Sequence, residues 1–234
     1  MIPERPPYTL ACLDLAGTLV ADDSGEGGGL VGQAFAAALD AVEVAKDSAE
    51  RDSMMDYIKL TMGQSKGDVF AALFPEPARA AAGNAAFESV YGELIDRGAA
   101  VPIPGAVEAM ACLRKSGIRI CLVTGFSPTT RDRLLARLGW AELADLALSP
   151  ADAGRGRPYP DMILTAVLRL RVDDVRSVAV VGDTEADIRS GLRAGAGMVA
   201  GVLTGTCDRH TLAAAGATHV LDSVADLGTV LAAA

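Results

Sequence analysis

The chain has 234 residues, half of them hydrophobic and 22% charged, with a formal net charge of −9. That length supports one sizeable core, or a core with a small second lobe, and the apolar fraction excludes intrinsic disorder. A pI near 4.7 argues against a nucleic-acid or anionic-membrane partner, because phosphate groups repel such a surface; an anionic substrate would need a local cationic pocket.

Short apolar runs alternate with amphipathic stretches, the pattern of βα units on a parallel sheet. A strand is predicted over Tyr8–Leu13, ending at Asp14. The segment from about Ser24 to Ala99 then breaks the rhythm. It opens with Ser24-Gly25-Glu26-Gly27-Gly28-Gly29, a hinge by composition. Helical pattern follows over Leu30–Lys46, Arg51–Thr61, Gly67–Phe74 and Pro77–Arg97, with no convincing strand. Val101-Pro102-Ile103-Pro104-Gly105 reads as a stiff second linker. Residues 24–99 are therefore expected to form a helical cap inserted into an α/β core made of 1–23 and 100–234. The cap carries 12 acids and 6 bases, so it is itself net negative.

Beyond the cap, strands are predicted over Ile118–Val123, Val178–Val181, Met198–Leu203 and His219–Leu221. Helices are expected over Gly105–Lys115, Thr129–Leu138, Pro160–Leu170, Glu185–Ala194, Arg209–Ala215 and Val224–Leu231. Aromatic residues are only 4% of the chain, so a helix-rich interior of closely packed small residues is expected. No signal peptide and no apolar run of ~18 residues is seen. Cys12, Cys112, Cys121 and Cys207 form no CxxC and sit in apolar contexts. They read as reduced, buried thiols of a cytoplasmic protein.

Ligands of an open parallel sheet bind outside the carboxyl ends of its strands. Three predicted strands end on Asp14, Thr124 and Asp183, each beside a small residue. A lone Asp or Thr at such a place caps the next turn more often than it reacts. Three together point to phosphoryl chemistry.

The first block is Asp14-Leu15-Ala16-Gly17-Thr18-Leu19, in which the Gly lets the backbone turn and present a carboxylate nucleophile. It resembles the first motif, Asp-x-Asp-x-Thr, of the haloacid dehalogenase superfamily, with the second acid replaced by Ala16. That replacement is the variant of phosphonoacetaldehyde hydrolases, or phosphonatases. The resemblance covers nearly the whole chain and implies a doubly wound, Rossmann-like α/β core. Val123-Thr124-Gly125-Phe126-Ser127 matches the family's phosphate-binding motif, with Thr124 and Gly125 at a helix N-terminus. Gly156-Arg157-Pro158-Tyr159-Pro160 resembles the phosphonatase version of the cationic motif. It puts Arg157 where most of the superfamily has a Lys, while Arg155 suits a solvated loop.

Val181-Gly182-Asp183-Thr184-Glu185-Ala186-Asp187 matches the metal motif. By resemblance, Asp183, Asp14 and the Ala16 carbonyl would hold Mg²⁺, with Thr184 and Asp187 supporting them from behind. Met62-Gly63-Gln64-Ser65-Lys66-Gly67-Asp68 is similar to the phosphonatase cap motif, so Met62 would meet substrate and Lys66 would form a Schiff base with its carbonyl. A single cap Lys is more often a solvated charge; paired with Ala16 and Arg157 it reads as catalytic. Two positions depart from the pattern: Val69 stands where phosphonatases have a His, and Phe126 where they have a Tyr. A 2-oxoalkylphosphonate related to phosphonoacetaldehyde therefore fits the resemblance as well.

The expected activity is hydrolysis of a small-molecule phosphonate at its C–P bond. The alternatives are a Mg²⁺-dependent phosphate-monoester phosphatase and a catalytically silent phosphate-binding protein. The resemblance also suggests a homodimer through the cap. Gly195-Ala196-Gly197-Met198-Val199-Ala200 fits a dinucleotide pattern but follows a helix and opens a strand, so it reads as a helix C-cap.

Overall fold

The apolar runs fold as a parallel sheet covered on both faces. In the computed structural model, which describes residues 8–21 and 29–233, the chain runs as follows. Strands β1 (Leu10–Asp14) and β2 (Val20–Ala21) precede helices α1 (Gly29–Ala41), α2 (Ala49–Leu60), α3 (Lys66–Leu73) and α4 (Pro77–Asp96). There follow β3 (Val101–Pro102), α5 (Ala106–Lys115), β4 (Arg119–Val123), α6 (Pro128–Leu138), β5 (Leu146–Leu148) and α7 (Pro150–Ala153). The chain continues through α8 (Asp161–Arg169), β6 (Val178–Gly182), α9 (Glu185–Ala194), β7 (Met198–Val202), α10 (Arg209–Ala214), β8 (His219–Leu221) and α11 (Leu227–Ala233).

Six strands form one sheet in the order β5-β4-β1-β6-β7-β8, and every pairing in it is parallel. Each residue of β1, β6 and β7 is buried, as a sheet sandwiched between helices requires. The fold is an α/β, doubly wound, Rossmann-like core. Strand order reverses around β1, which lies between β4 and β6, and the crevice at such a switch point is where ligands bind.

Four helices, α1 to α4, lie between β2 and β3. Helix α4 packs against α1 and α3 on one side and against α6 of the core on the other. Four of the chain's five phenylalanines meet in this layer: Phe35, Phe70 and Phe87 contact one another, and Phe126 stacks on Phe87. A composition poor in aromatics thus concentrates them above the sheet.

Several predicted boundaries need correction. The hinge residues 24–28 lie outside the described residues. Helix α1 stops at Ala41 rather than Lys46, because Glu43 turns into the left-handed region at φ 59°. Helix α2 starts at Ala49, since the Ser48 hydroxyl accepts from the Arg51 N–H and caps it. The stiff linker at Val101-Pro102 is a strand, paired antiparallel with Val20-Ala21. The stretch predicted as a helix from Val224 opens with a 3₁₀ turn over Val224–Asp226 before α11. Strand β5 was not predicted. The cysteines are not uniformly buried: Cys12 and Cys121 are, while Cys207 is half-buried and Cys112 is exposed on α5. A thiol is small enough to sit at a helix surface at little cost. Gly195 does cap α9, at φ 82°. Among the described residues no helix is long and apolar enough to cross a membrane.

Candidate active site

Parallel register brings the strand ends together. Asp14 lies opposite Val123 of β4, and β6 runs alongside β1 through Leu13 and Val181. Asp14, Thr124 and Asp183 therefore leave the sheet at neighbouring points on its carboxyl edge, and all three are buried. Strand β5 helps fix this edge, because the Thr124 N–H donates to the Leu148 carbonyl at 3.1 Å. The Phe126 N–H donates to the Thr124 hydroxyl oxygen at 3.2 Å, which leaves the hydroxyl proton for an acceptor in the site.

Three carboxylates crowd one guanidinium here. Asp14, Asp183 and Asp187 each offer an oxygen within 4.8 Å of the others. Arg157 Nη1 donates to Asp14 Oδ1 at 2.5 Å and also to Asp187 Oδ1. Its Nε is buried with no hydrogen-bond partner, so one donor of the fork stays available to an anion. Burial pushes the Asp14 carboxyl up to about 7; Arg157 counters that rise and Asp187 adds to it. Burial, helped by Asp14 and Asp187, drives Asp183 well above the usual carboxylate range. The same two acids raise the pKa of Arg157 against its own burial. Arg157 and the buried Lys66 do not balance three buried acids, and hard oxygen donors at this spacing suit a divalent cation.

Asp187 serves two masters. One oxygen pairs with Arg157. The other accepts from the Thr184 N–H at 3.1 Å, and the Thr184 hydroxyl receives the Asp187 N–H in return, a reciprocal cap that starts α9. The motif thus starts a helix and aims an arginine with one side chain. Arg155 turns away and pairs with Asp161, as expected of a loop arginine.

The roof comes from α3 and its N-terminal loop. Ser65 caps the helix, so Lys66 is its first residue, not the one before it. Lys66 is only 5% exposed. Its Nζ stands 5.5 Å from the Phe35 ring centre, 5.9 Å from Phe87 and 5.4 Å from Phe126. Three ring faces at that range stabilise a cation in place of water. The Lys66 N–H donates to the Gly125 carbonyl at 3.1 Å, so the start of α3 hangs directly on the loop after β4. Close approach explains two glycines. A Cβ on Gly125 would collide with the Gln64 carbonyl, and one on Gly63, at φ +84°, would come within 2.5 Å of Thr184 Oγ1.

A cavity of about 20 Å³ lies between floor and roof. Asp14, Ala16, Met62, Lys66, Thr124, Gly125, Arg157, Asp183 and Thr184 all line it. Asp187 does not; its contacts are with Arg157 and Thr184. Sequence reasoning missed Val31, Gly63 and Thr206 in that wall. The Thr206 N–H donates to Asp183 Oδ2 at 2.7 Å. Its signal was available, since Thr204-Gly205-Thr206 follows the carboxyl end of β7. Phe126 was noticed only as a departure from a motif, and Phe35 and Phe87 carried no signal of their own.

Comparison with known proteins bears on the family and the fold. A family model described as haloacid dehalogenase-like hydrolase matches residues 8–195. The phosphonoacetaldehyde hydrolase of Parabacteroides distasonis is 35% identical over 153 residues, covering 54% of this chain and 56% of that protein. The phosphonoacetaldehyde hydrolase of Bordetella pertussis is 33% identical over 154 residues, 56% of each chain. The chain spans about half the length of the curated relatives it matches. Among solved structures, a hydrolase from Pseudomonas syringae superposes with TM-score 0.81 at 25% identity, over 97% of this chain and 99% of the other. A phosphonoacetaldehyde hydrolase-like protein from Oleispira antarctica shares the fold, with TM-score 0.80 at 24% identity over 98% and 93% of the two chains.

Proposed function

The chain belongs to the haloacid dehalogenase-like hydrolases, and on that premise we propose that it cleaves the C–P bond of a 2-oxoalkylphosphonate, phosphonoacetaldehyde or a relative. The observation that carries this reading is one small cavity walled by Lys66, Asp14, Arg157 and the small residue Ala16. An ester phosphatase needs an acid to protonate the departing alkoxide, a contribution of ~10²–10⁴-fold. Ala16 has none to offer. A phosphonate instead needs a sink for the electrons of its C–P bond, and an amine beside its carbonyl supplies one.

In this mechanism Lys66 Nζ adds to the substrate carbonyl and water leaves, forming an imine. An Asp14 oxygen attacks phosphorus, the C–P bond breaks, and its electron pair becomes the enamine π bond. Water then hydrolyses the aspartyl phosphate. The enamine takes a proton on carbon, and hydrolysis of the imine frees Lys66 and the aldehyde or ketone. Thr124, the Gly125 N–H and Arg157 hold the phosphoryl oxygens, Arg157 through a planar fork matched to them. The rings around Lys66 suit the iminium as they suit an ammonium.

The donor set fits Mg²⁺: Asp14, Asp183 and the Ala16 carbonyl would hold it, with Thr184 and Asp187 behind. When bound it would supply Lewis-acid stabilisation of the transferring phosphoryl group. Asp14 must be ionised to attack; the Arg157 pair favours that form, and a bound dication would favour it further. Residues 24–99 act as the cap that carries Lys66 over this centre.

Release of inorganic phosphate tests the reading. Phosphonoacetaldehyde or 2-oxopropylphosphonate is expected to be hydrolysed in preference to sugar and nitrophenyl phosphates, with activity lost in Lys66→Ala. Preference for the esters, surviving Lys66→Ala, would contradict it.

A further inference from the structure

A second cleft, of about 180 Å³, also has Lys66 in its wall but none of the three aspartates. Ser65, Lys66, Asn84, Glu88, Phe126 and Ser127 contribute to its wall. Lys66 and Phe126 also line the smaller cavity, so the two spaces meet at the reacting amine. Glu88 on α4 uses one oxygen only. Its Oε2 accepts from the Ser127 hydroxyl at 2.5 Å and from Thr130 Oγ1 at the start of α6. Its Oε1 is buried with no hydrogen-bond partner, and Asn84 Oδ1, one helical turn earlier, is in the same condition. A buried acceptor left unpaired is costly, and two in one cleft wall point to a donor that arrives with the ligand.

We infer that this cleft binds the carbonyl substituent of the substrate, and that the substituent carries a hydroxyl group. The inference rests on the proposed C–P reading for the identity of the substrate. With C2 joined to Lys66, the phosphonate arm leads to Asp14 and Arg157, and the small cavity is filled by it. The other arm of C2 can enter this second cleft, which shares Lys66 and Phe126 with the small cavity. A hydrogen atom, as in an aldehyde, would leave that space and both acceptors unused. A hydroxyl donates to Glu88 and can also accept, so it satisfies Asn84 whichever end of the amide faces it. An ammonium fits less well, because the imine beside it is cationic. The substrate class is a 2-oxoalkylphosphonate hydroxylated at C3 or beyond.

Calorimetric titration with phosphonates that cannot form an imine tests the cleft apart from the reaction. (3-Hydroxypropyl)phosphonate and butylphosphonate differ only by hydroxyl against methyl at the chain end. Methylphosphonate stops short of the cleft and reports the phosphoryl site alone. In the presence of Mg²⁺ the hydroxylated compound is expected to bind about tenfold tighter than butylphosphonate, the worth of a hydrogen bond to a carboxylate. Asn84→Leu, which leaves the Glu88 links to Ser127 and Thr130 in place, is expected to reduce that preference to less than about threefold. Glu88→Gln, which keeps an acceptor for those two hydroxyls, should reduce it as well. Methylphosphonate affinity should stay unchanged in both variants, which shows that the fold is intact. Equal or tighter binding of butylphosphonate by the wild type would overturn the inference while leaving the proposed function standing. Failure of all three phosphonates to bind would overturn both.

Discussion

The floor of the site is polar and the roof is aromatic, and the two handle charge by opposite means. On the floor, buried carboxylates are held by a single guanidinium and by backbone N–H groups, Asp14 and Asp183 at the ends of strands and Asp187 in the first turn of α9. In the roof, an amine is surrounded by ring faces drawn from α1, α4 and the loop after β4. The floor keeps a negative cluster that a dication and a phosphoryl group can join. The roof keeps a nitrogen dry, and under the proposed mechanism it would face an iminium where it now faces the amine. The floor lacks, at Ala16, the acid that a phosphate ester's leaving group needs, and the roof offers an amine that a carbonyl can meet.

Removing the nucleophile should break the floor most severely. Asp14→Asn is expected to lower phosphate release by ~10³-fold or more with the circular dichroism unchanged, because an amide cannot attack phosphorus. A residual rate above about a tenth of wild type would contradict the assignment. Arg157→Lys comes next. A point charge cannot span Asp14, Asp187 and a phosphoryl oxygen as a fork does, and a loss of ~10²-fold in kcat/KM is expected. The conservative charge should leave KM for Mg²⁺ less affected than kcat/KM for substrate.

The roof should be more forgiving. Phe126→Leu removes one ring of three while keeping the volume apolar. A cation–π contact is worth ~0.5–2 kcal/mol, so about a two- to thirtyfold drop in the rate of imine formation is expected, with phosphate affinity retained. Equal losses in both would mean that Phe126 shapes the floor instead.

The gentlest test concerns stability in chelator. Burial lifts the folded Asp14 carboxyl to about 7 from 3.8, so the folded state binds more protons than the unfolded one between those values. Stability without metal should therefore fall as pH rises from about 4 through 7. Thermal melts in EDTA should show that decline, and saturating Mg²⁺ should flatten it. Rising stability over the same interval would mean that Arg157 alone balances the cluster.

The floor was legible because three of its members end apolar runs, and an acid or hydroxyl there stands out. Asp14, Thr124 and Asp183 were found that way, and Lys66 and Arg157 by resemblance. The missing parts had no local mark. Strand β5 is three residues in a polar neighbourhood. The pairing of Val20-Ala21 with Val101-Pro102 joins segments about 80 residues apart in sequence. Phe35 and Phe87 look like any core residue of an amphipathic helix, and only packing of α4 across α1 and α3 brings them to Lys66. Glu88 resembles a solvated helix charge until the Ser127 hydroxyl is seen beneath it.

Borohydride trapping tests the central claim most directly. Reduction in the presence of a 2-oxoalkylphosphonate is expected to inactivate the enzyme irreversibly, with the mass of the reduced adduct on the peptide that contains Lys66 and none on Lys59. Lys66→Arg should abolish both adduct and turnover, since a guanidinium keeps the charge but is no amine nucleophile. Full turnover in that variant, or an adduct confined to another lysine, would contradict the imine and leave a metal-dependent phosphatase as the better account.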